Sequence, residues 1–290
     1  MANSIELAKK FLPIIDAIYK AESVTNGMDA ATRADFTGVN EVKYLHIGTE
    51  GLGDYSRANG YPKGDVTVEW RNLRLEEERG KEFSVDRMDD EETLGQAFGA
   101  AVGEFMRLHV IPELDAYRFA KYASEPGISR PAAAVVLTQT AIIAAIDEAV
   151  RQLDEDEVPK TGRRLYINSD LKPMLNNALA RQWGSDGTVN TVLAGYNDMP
   201  ITWVPTSRFN TGITMNSGAT NWGWSSTGSP INFMIIYPRA ILQVVKFALP
   251  KIFSPDVNQD KDAWKFQYRN YHDAFVYDNK AKGIYAHTQP

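Results

Sequence analysis

The stretch Glu91-Glu-Thr-Leu-Gly-Gln-Ala-Phe-Gly-Ala-Ala-Val-Gly-Glu-Phe-Met-Arg-Leu-His-Val-Ile111, continued by Pro112-Glu-Leu-Asp-Ala-Tyr-Arg-Phe-Ala-Lys-Tyr-Ala123, decides how this chain is read. Leu94, Phe98, Ala101, Phe105 and Leu108 recur at helical spacing, which predicts a helix with one apolar face. Gly95, Gly99 and Gly103 form a second line along it, with no side chains. Each glycine costs a helix interior roughly 1 kcal/mol relative to alanine. Three in register predict that another backbone packs close there; the alternative is glycine tolerated in a buried helix. Pro112 has no N–H to donate to residue 108, so the helix kinks or restarts with Pro112 in a first turn. Uninterrupted, the run would measure roughly 50 Å. A long, kinked, half-buried helix implies an elongated molecule with a spine, not a globule around a cleft.

Upstream of the spine, Gly51, Gly53, Asn59-Gly60, Pro62 and Gly64 supply turn chemistry. Val66-Thr-Val-Glu-Trp-Arg-Asn-Leu-Arg-Leu75 alternates at Val66, Val68 and Trp70, then changes phase at Leu73, which predicts a bulge near Asn72. A charged turn, Glu76-Glu-Glu-Arg-Gly-Lys-Glu82, leads to Phe83-Ser-Val85. This reads as a long hairpin over residues 64–87, poor in apolar residues and carrying charges of both signs. An isolated hairpin is marginal in water, and its own chain offers no obvious neighbour. Trp70, Arg71, Arg74, Glu76, Glu77, Glu78, Arg79 and Lys81 are therefore candidates for contact with another subunit; the plainer alternative is a hairpin packed on its own domain. Further upstream, Ile5, Leu7, Phe11, Ile14, Ile15 and Ile18 mark an amphipathic helix capped by Asn3 or Ser4. A polar tether, Thr25–Asn40, and a short strand, Val42–Ile47, follow it.

Downstream, Thr138–Leu153 reads as a strong helix and Arg164-Leu-Tyr-Ile167 as a buried strand. A helix over Asp170–Gln182 follows, with Pro173 in its first turn, and then strands at Thr191–Leu193 and Met199–Val204. That alternation predicts a small α/β layer. Residues 207–230, rich in Gly, Ser, Thr and Asn and containing Trp222 and Trp224, read as an exposed loop. Phe233–Tyr237, Trp264–Tyr268, Ala274–Tyr277 and Gly283–Ala286 read as strands; Ile241–Phe247 is apolar and of ambiguous type.

The chain has 290 residues, 43% of them hydrophobic, which is enough for a sizeable core and excludes wholesale disorder. It contains no cysteine, which excludes disulfides, thiolate metal sites and a cysteine nucleophile. The formal charge of −6, with no strongly basic segment, argues against a dedicated nucleic-acid binder. No apolar run is long enough to span a membrane. Phosphate loop, dinucleotide fingerprint, nucleophile elbow and zinc-protease motif are all missing. The histidines (His46, His109, His272, His287) are scattered singly and read as structural. Asp256-x-Asn258-x-Asp260 has the opening rhythm of a calcium loop, but Lys261 stands where glycine is needed and Gln267 where a bidentate glutamate is needed. No catalytic, metal or cofactor site is expected. Trp222-Gly-Trp224 could stack on a sugar or pack on a neighbour.

The order of arm, charged hairpin, spine helix, α/β segment and closing aromatic strands resembles the major capsid protein of tailed bacteriophages, with the Hong Kong 97-type α+β fold. The closing stretch Trp264-Lys-Phe-Gln-Tyr-Arg-Asn-Tyr-His-Asp-Ala-Phe-Val-Tyr-Asp-Asn-Lys-Ala-Lys-Gly-Ile-Tyr-Ala-His287 and the run Arg164-Leu-Tyr-Ile-Asn-Ser-Asp170 carry the resemblance best. It implies an N-terminal arm (1–50), an extended loop (51–90), a peripheral domain (91–135 with 236–290) and an axial domain (136–235). It implies self-assembly as hexamers and pentamers into an icosahedral shell in the virion, made in the host bacterial cytoplasm. The partners implied are a scaffolding protein, a portal and packaged double-stranded DNA held without sequence-specific contact, with no membrane. Some relatives weld the shell through a loop lysine and an asparagine; Lys63, Lys81 and Asn279 are present, but no diagnostic motif links them. Two rival readings are an encapsulin-like nanocompartment shell with enzyme cargo and a carbohydrate-binding protein or enzyme using the Trp222/Trp224 loop.

Overall fold

A computed structural model describes residues 23–28, 35–36, 41–57, 60–61, 63–92, 97–132, 136–178, 182–183, 189–190, 195–217 and 222–290. The expected N-terminal helix, Leu94, Gly95 and the expected strand Thr191–Leu193 lie outside the described residues. Strands β1 (Asp35–Phe36), β2 (Glu41–Thr49) and β3 (Val66–Arg74) form one antiparallel sheet. The next strand, β4 (Glu77–Asp86), belongs to a different one. The hairpin expected over residues 64–87 therefore does not exist as a pair: β3 bonds to β2, and β4 bonds along its whole length to a strand near the C-terminus. The charged run 76–82 is mostly strand, not turn; only Leu75 and Glu76 separate β3 from β4. The expected bulge at Asn72 is absent too. The β2–β3 register is continuous, and Leu73 simply faces the other side from Trp70.

The spine begins with α1 (Arg87–Glu92) and α2 (Ala97–Phe105), passes through a π-helical turn (Met106–Val110) and continues as α3 (Ile111–Ser124). Pro112 sits in the first turn of α3, as its chemistry requires. The N–H of Ile111 donates to the carbonyl of Met106, so the widened turn absorbs the register change just before the proline. That turn also shifts the apolar face. Val102 and Met106 are buried, whereas Leu108, expected on the buried face, is 55% exposed. The α3 half is not half-buried but sunk on nearly every side, down to Glu113, Asp115 and Arg118.

The helix α4 (Ala141–Glu155) leads to β5 (Arg164–Asn168). Asn168 caps the short 3₁₀ turn that follows, accepting the Asp170 N–H at 3.0 Å. Then come α5 (Lys172–Ala178), shorter than expected, the small pair β6 (Gln182–Trp183) and β7 (Val189–Asn190), and β8 (Gly195–Tyr196) with β9 (Met199–Val204). Asn197 and Asp198 both take positive φ in the two-residue turn between β8 and β9, which their side chains tolerate. The loop expected at 207–230 contains a hairpin, β10 (Ile213–Met215) and β11 (Trp222–Trp224). β12 (Ile231–Ile236), β13 (Ile241–Phe253), β14 (Ala263–Val276) and β15 (Ile284–Thr288) close the chain. The two aromatic stretches read as separate strands are one long strand, β14.

The five-stranded sheet β15-β12-β5-β9-β8 is mixed, with β5 and β9 parallel. Phe119 and Tyr122 of α3 share a core with one face, through Tyr166, Met234, Ile236 and Ile284. Ile142, Ile146, Ala149 and Leu153 of α4 share a core with the other, through Leu165, Ile167, Phe233 and Ile235. β12 is buried at every position, which is why it reads as an unbroken apolar run. β14 carries the second sheet, β13-β14-β4, against the π turn through Met106, Phe266 and Tyr268.

Candidate interaction surfaces

Register dictates the first surface. Thr49 lies opposite Val66, Ile47 opposite Val68 and Leu45 opposite Trp70. Side chains alternate across a strand, so Val66, Val68 and Trp70 share one face with Ile47. Each of those four side chains is more than half exposed. The opposite face, at the root of the hairpin, is buried: Val42, Tyr44 and Leu73 pack with Leu242, Val244 and Tyr277. Arg71 forms an ion pair with Asp278, and the Tyr44 hydroxyl donates to the same carboxylate at 3.5 Å. The Tyr44 ring meets Tyr277 edge-on at 5.0 Å. The root is thus fixed to the body, and the distal half stands out with an apolar stripe uncovered. Beyond it, Leu52, Tyr55 and Tyr61 are exposed at the tip.

The charged candidates behave differently. Arg79 donates to Glu113 at 2.8 Å and to the Asn216 carbonyl at 2.8 Å. Arg269 of β14 donates to Glu78 at 2.6 Å, Gln267 to Glu82 at 2.6 Å and Lys121 to Glu76 at 3.2 Å. Glu77 is half-buried, and burial pushes its carboxyl up. The expectation that these charges lack a neighbour in their own chain is thereby corrected, because β14 and α3 both present complementary residues. Of the hairpin candidates, Trp70, Arg74, Glu76, Glu78 and Lys81 stand exposed, Glu76 and Glu78 with partners in their own subunit.

Trp222 and Trp224 are half-buried, their rings edge-to-face at 5.1 Å, so they pack on each other and do not form an open stacking platform. Gly99 and Gly103 fall within α2, with Gly103 half-buried. The acids of the calcium-like loop are engaged in ion pairs: Asp256 with Arg87, Asp260 with Lys265. Among the described residues no three acidic or histidine side chains gather to hold a metal, and no helix is long and apolar enough to cross a membrane. Reading the sequence missed Ile47, Val66 and Val68 as contact candidates and missed the β2–β3 pairing. The strand-like run Val42-Lys-Tyr-Leu-His-Ile47 was the available signal; in the structure it extends to Glu41–Thr49, nine residues like Val66–Arg74.

No protein-family model matches this chain, and no curated protein matches it. Solved structures do. The capsid structure of cyanophage P-SCSP1u aligns with a TM-score of 0.64 over 92% of this chain and 88% of that one, at 11% identity. The mature capsid of bacteriophage PhiM1 aligns with a TM-score of 0.56 over 86% and 81%, at 12% identity. The fold is a phage capsid fold. A virus-like particle from Pyrococcus furiosus shares it, with a TM-score of 0.58 over 97% and 99% at 14% identity. The α+β architecture that the resemblance implied is the one observed, and the capsid fold gives the uncovered hairpin stripe a context.

Proposed function

We propose that this protein is the major capsid protein of a tailed phage, a shell subunit whose copies contact one another through the apolar face of the β2–β3 hairpin. The observation that carries this reading is an uncovered stripe of Ile47, Val66, Val68 and Trp70 on a hairpin rooted in a capsid fold. A contiguous exposed apolar patch of this kind marks an interaction site. In this reading residues 1–50 include the arm, the extended loop is the β2–β3 hairpin, the spine and the β13-β14-β4 sheet form the peripheral domain, and the five-stranded sheet with α4 and α5 forms the axial domain. Gly99 and Gly103 are the line of close approach between spines. The shell closes from hexamers and pentamers, with a scaffolding protein and portal as assembly partners and double-stranded DNA inside. The net charge of −6 suits a wall that holds DNA without gripping it. The subunit performs no catalysis. Electron microscopy of the purified protein tests the proposal. Closed shells of uniform diameter are expected; a monomer at every concentration would overturn it. Shells that form in cells without phage DNA and enclose an enzyme would instead identify a nanocompartment.

A further inference from the structure

Asp115 of α3 is completely buried, and its carboxylate is crowded with donors. Oδ1 accepts from the Ser23 hydroxyl at 2.8 Å, the Thr25 hydroxyl at 2.6 Å and the Thr25 N–H at 3.3 Å. Oδ2 accepts from the Val24 N–H at 3.1 Å and from Arg208 at 3.2 Å. An ionised carboxylate accepts only, through about four lone-pair sites, so these donors exhaust it. One helix residue thus grips three consecutive residues of a segment far upstream. The Thr25 hydroxyl is held from both sides, since it also accepts from Arg118 at 2.8 Å, and the Thr25 carbonyl accepts from Gln243 of β13 at 3.2 Å. Past Thr25 the segment is held by packing, because Met28 is fully buried in the core that contains Phe119 and Tyr122. Residues 23–28 therefore form a strap with an apolar anchor at its downstream end and a polar one, Asp115, at its upstream end.

Arg208 belongs to the 3₁₀ turn Thr206–Arg208 that follows β9. The carboxylate therefore joins strap, spine and the end of a strand of the five-stranded sheet. The strap residues bring it only neutral donors; Arg208 brings the bonded counter-charge. A buried carboxylate deprived of that charge is strongly unfavourable, and hydrogen bonds to an ionised acceptor are roughly twice as strong as those to a neutral one. We propose that Asp115 is a positioning residue for assembly. It latches the strap to the spine, with Arg208 keeping the latch shut, and so fixes the place and direction in which the chain ahead of Ser23 leaves the subunit. A fixed exit lowers the ordering cost of contacts which that part of the chain makes with another copy. This rests on the assembly reading above and names residues within the subunit on which assembly depends.

The Val24 and Thr25 amides both donate to Asp115, so their hydrogen exchange reads the latch directly. It is measured on subunits kept below the assembly concentration, beside the amides of β12 as a core reference. Thr25→Val and Arg208→Met should each speed exchange at Val24 and Thr25 by about tenfold or more, the loss of a bond to a charged group, with β12 unchanged. Arg208→Lys keeps the charge and should restore most of the protection. The concentration needed for assembly should rise about threefold or more in Thr25→Val and Arg208→Met, the cost of re-fixing even one side chain, and stay near that of the parent in Arg208→Lys. If Arg208→Met does not fold, Thr25→Val, which leaves the ion pair intact, carries the test. Unchanged exchange, β12 amides that speed up equally in Thr25→Val, or a freed strap with an unchanged assembly concentration would each overturn the latch while leaving the shell reading standing. A parent protein that never assembles would overturn both.

Discussion

β3 and β4 are neighbours in the chain, separated only by Leu75 and Glu76, and they meet opposite fates. β4 carries Glu77, Glu78, Arg79, Lys81 and Glu82, yet it is bonded at home through its length to β14, and Glu78, Arg79 and Glu82 have partners in the same subunit. β3 carries Val66, Val68 and Trp70 and leaves them uncovered. Ordinary expectation runs the other way: apolar strands pack, charged strands face water. In the proposed assembly the inversion would put the contact between copies on the apolar strand and leave the ion pairs to hold the subunit together. Surface ion pairs are worth about 0–1 kcal/mol each, whereas burying an apolar side chain is worth about 1.5–3 kcal/mol, so the stripe is also the stronger adhesive.

The largest expected effect separates the two strands directly. Replacing residues 77–86 by a Gly-Ser linker should abolish the folded subunit, because it removes one strand of the β13-β14-β4 sheet and the packing of Phe83 and Val85 on Phe266. Replacing residues 47–68 by a short linker should leave the circular dichroism melting curve in place and prevent assembly. Equal loss of fold in both would erase the distinction.

Next in size are single substitutions. Arg79→Ala leaves the mostly buried Glu113 without its guanidinium and should cost about 2–3 kcal/mol in chemical denaturation, discounted from the fully buried case because Arg79 is partly exposed. Trp70→Ala should change subunit stability by no more than about 0.5 kcal/mol while raising the concentration needed for assembly.

Acid titration probes the β14 side through His272, alongside His287 of β15, which burial also pushes down. His272 is held near 3 in the fold against 6.5 when free, by burial and by Arg118 and Arg79. Between those values the unfolded chain binds a proton that the folded one refuses. His272 should therefore make stability fall as the pH drops from about 6.5 toward 3, by at most about 1.4 kcal/mol per pH unit from this one group. Urea melts across that range should show a shallower fall in His272→Phe; an identical slope would mean that the ring is not buried beside Tyr117 as described.

The smallest expected effect is that of salt. Raising ionic strength from about 0.1 M to about 1 M shortens the Debye length from about 10 Å to about 3 Å. An ionic contact between copies would weaken; the apolar stripe should keep or improve its affinity, as light scattering of assembly would report.

How much of this was legible in the sequence follows from what kind of signal each element carries. Pro112 and the helical spacing placed the spine restart within a residue, because both are local. β12 was legible as an apolar run, and β14 only by its two ends, Trp264–Tyr268 and Ala274–Tyr277. The partner of β3 was not legible: strand pairing is non-local, and β3 with β4 looked like a hairpin because nothing in Glu76–Glu82 says that its acids and bases match Gln267 and Arg269, nearly two hundred residues on. The loss of Leu108 from the buried face was hidden for a related reason, since a π turn changes the period that the face was read with. The burial of Asp115 was equally hidden. Its carboxylate accepts from Ser23, Val24 and Thr25 and pairs with Arg208, residues far away in the chain.

The measurement that bears most directly on the central claim is sedimentation velocity with electron microscopy on Val68→Glu beside the parent protein. Val68 is 56% exposed, so the subunit should fold and melt as the parent does. The parent should form closed shells; the variant should remain dispersed subunits or small oligomers, because a carboxylate would be buried without a partner at the contact between copies. Normal shells from a folded Val68→Glu would contradict the claim that this strand face joins one subunit to the next.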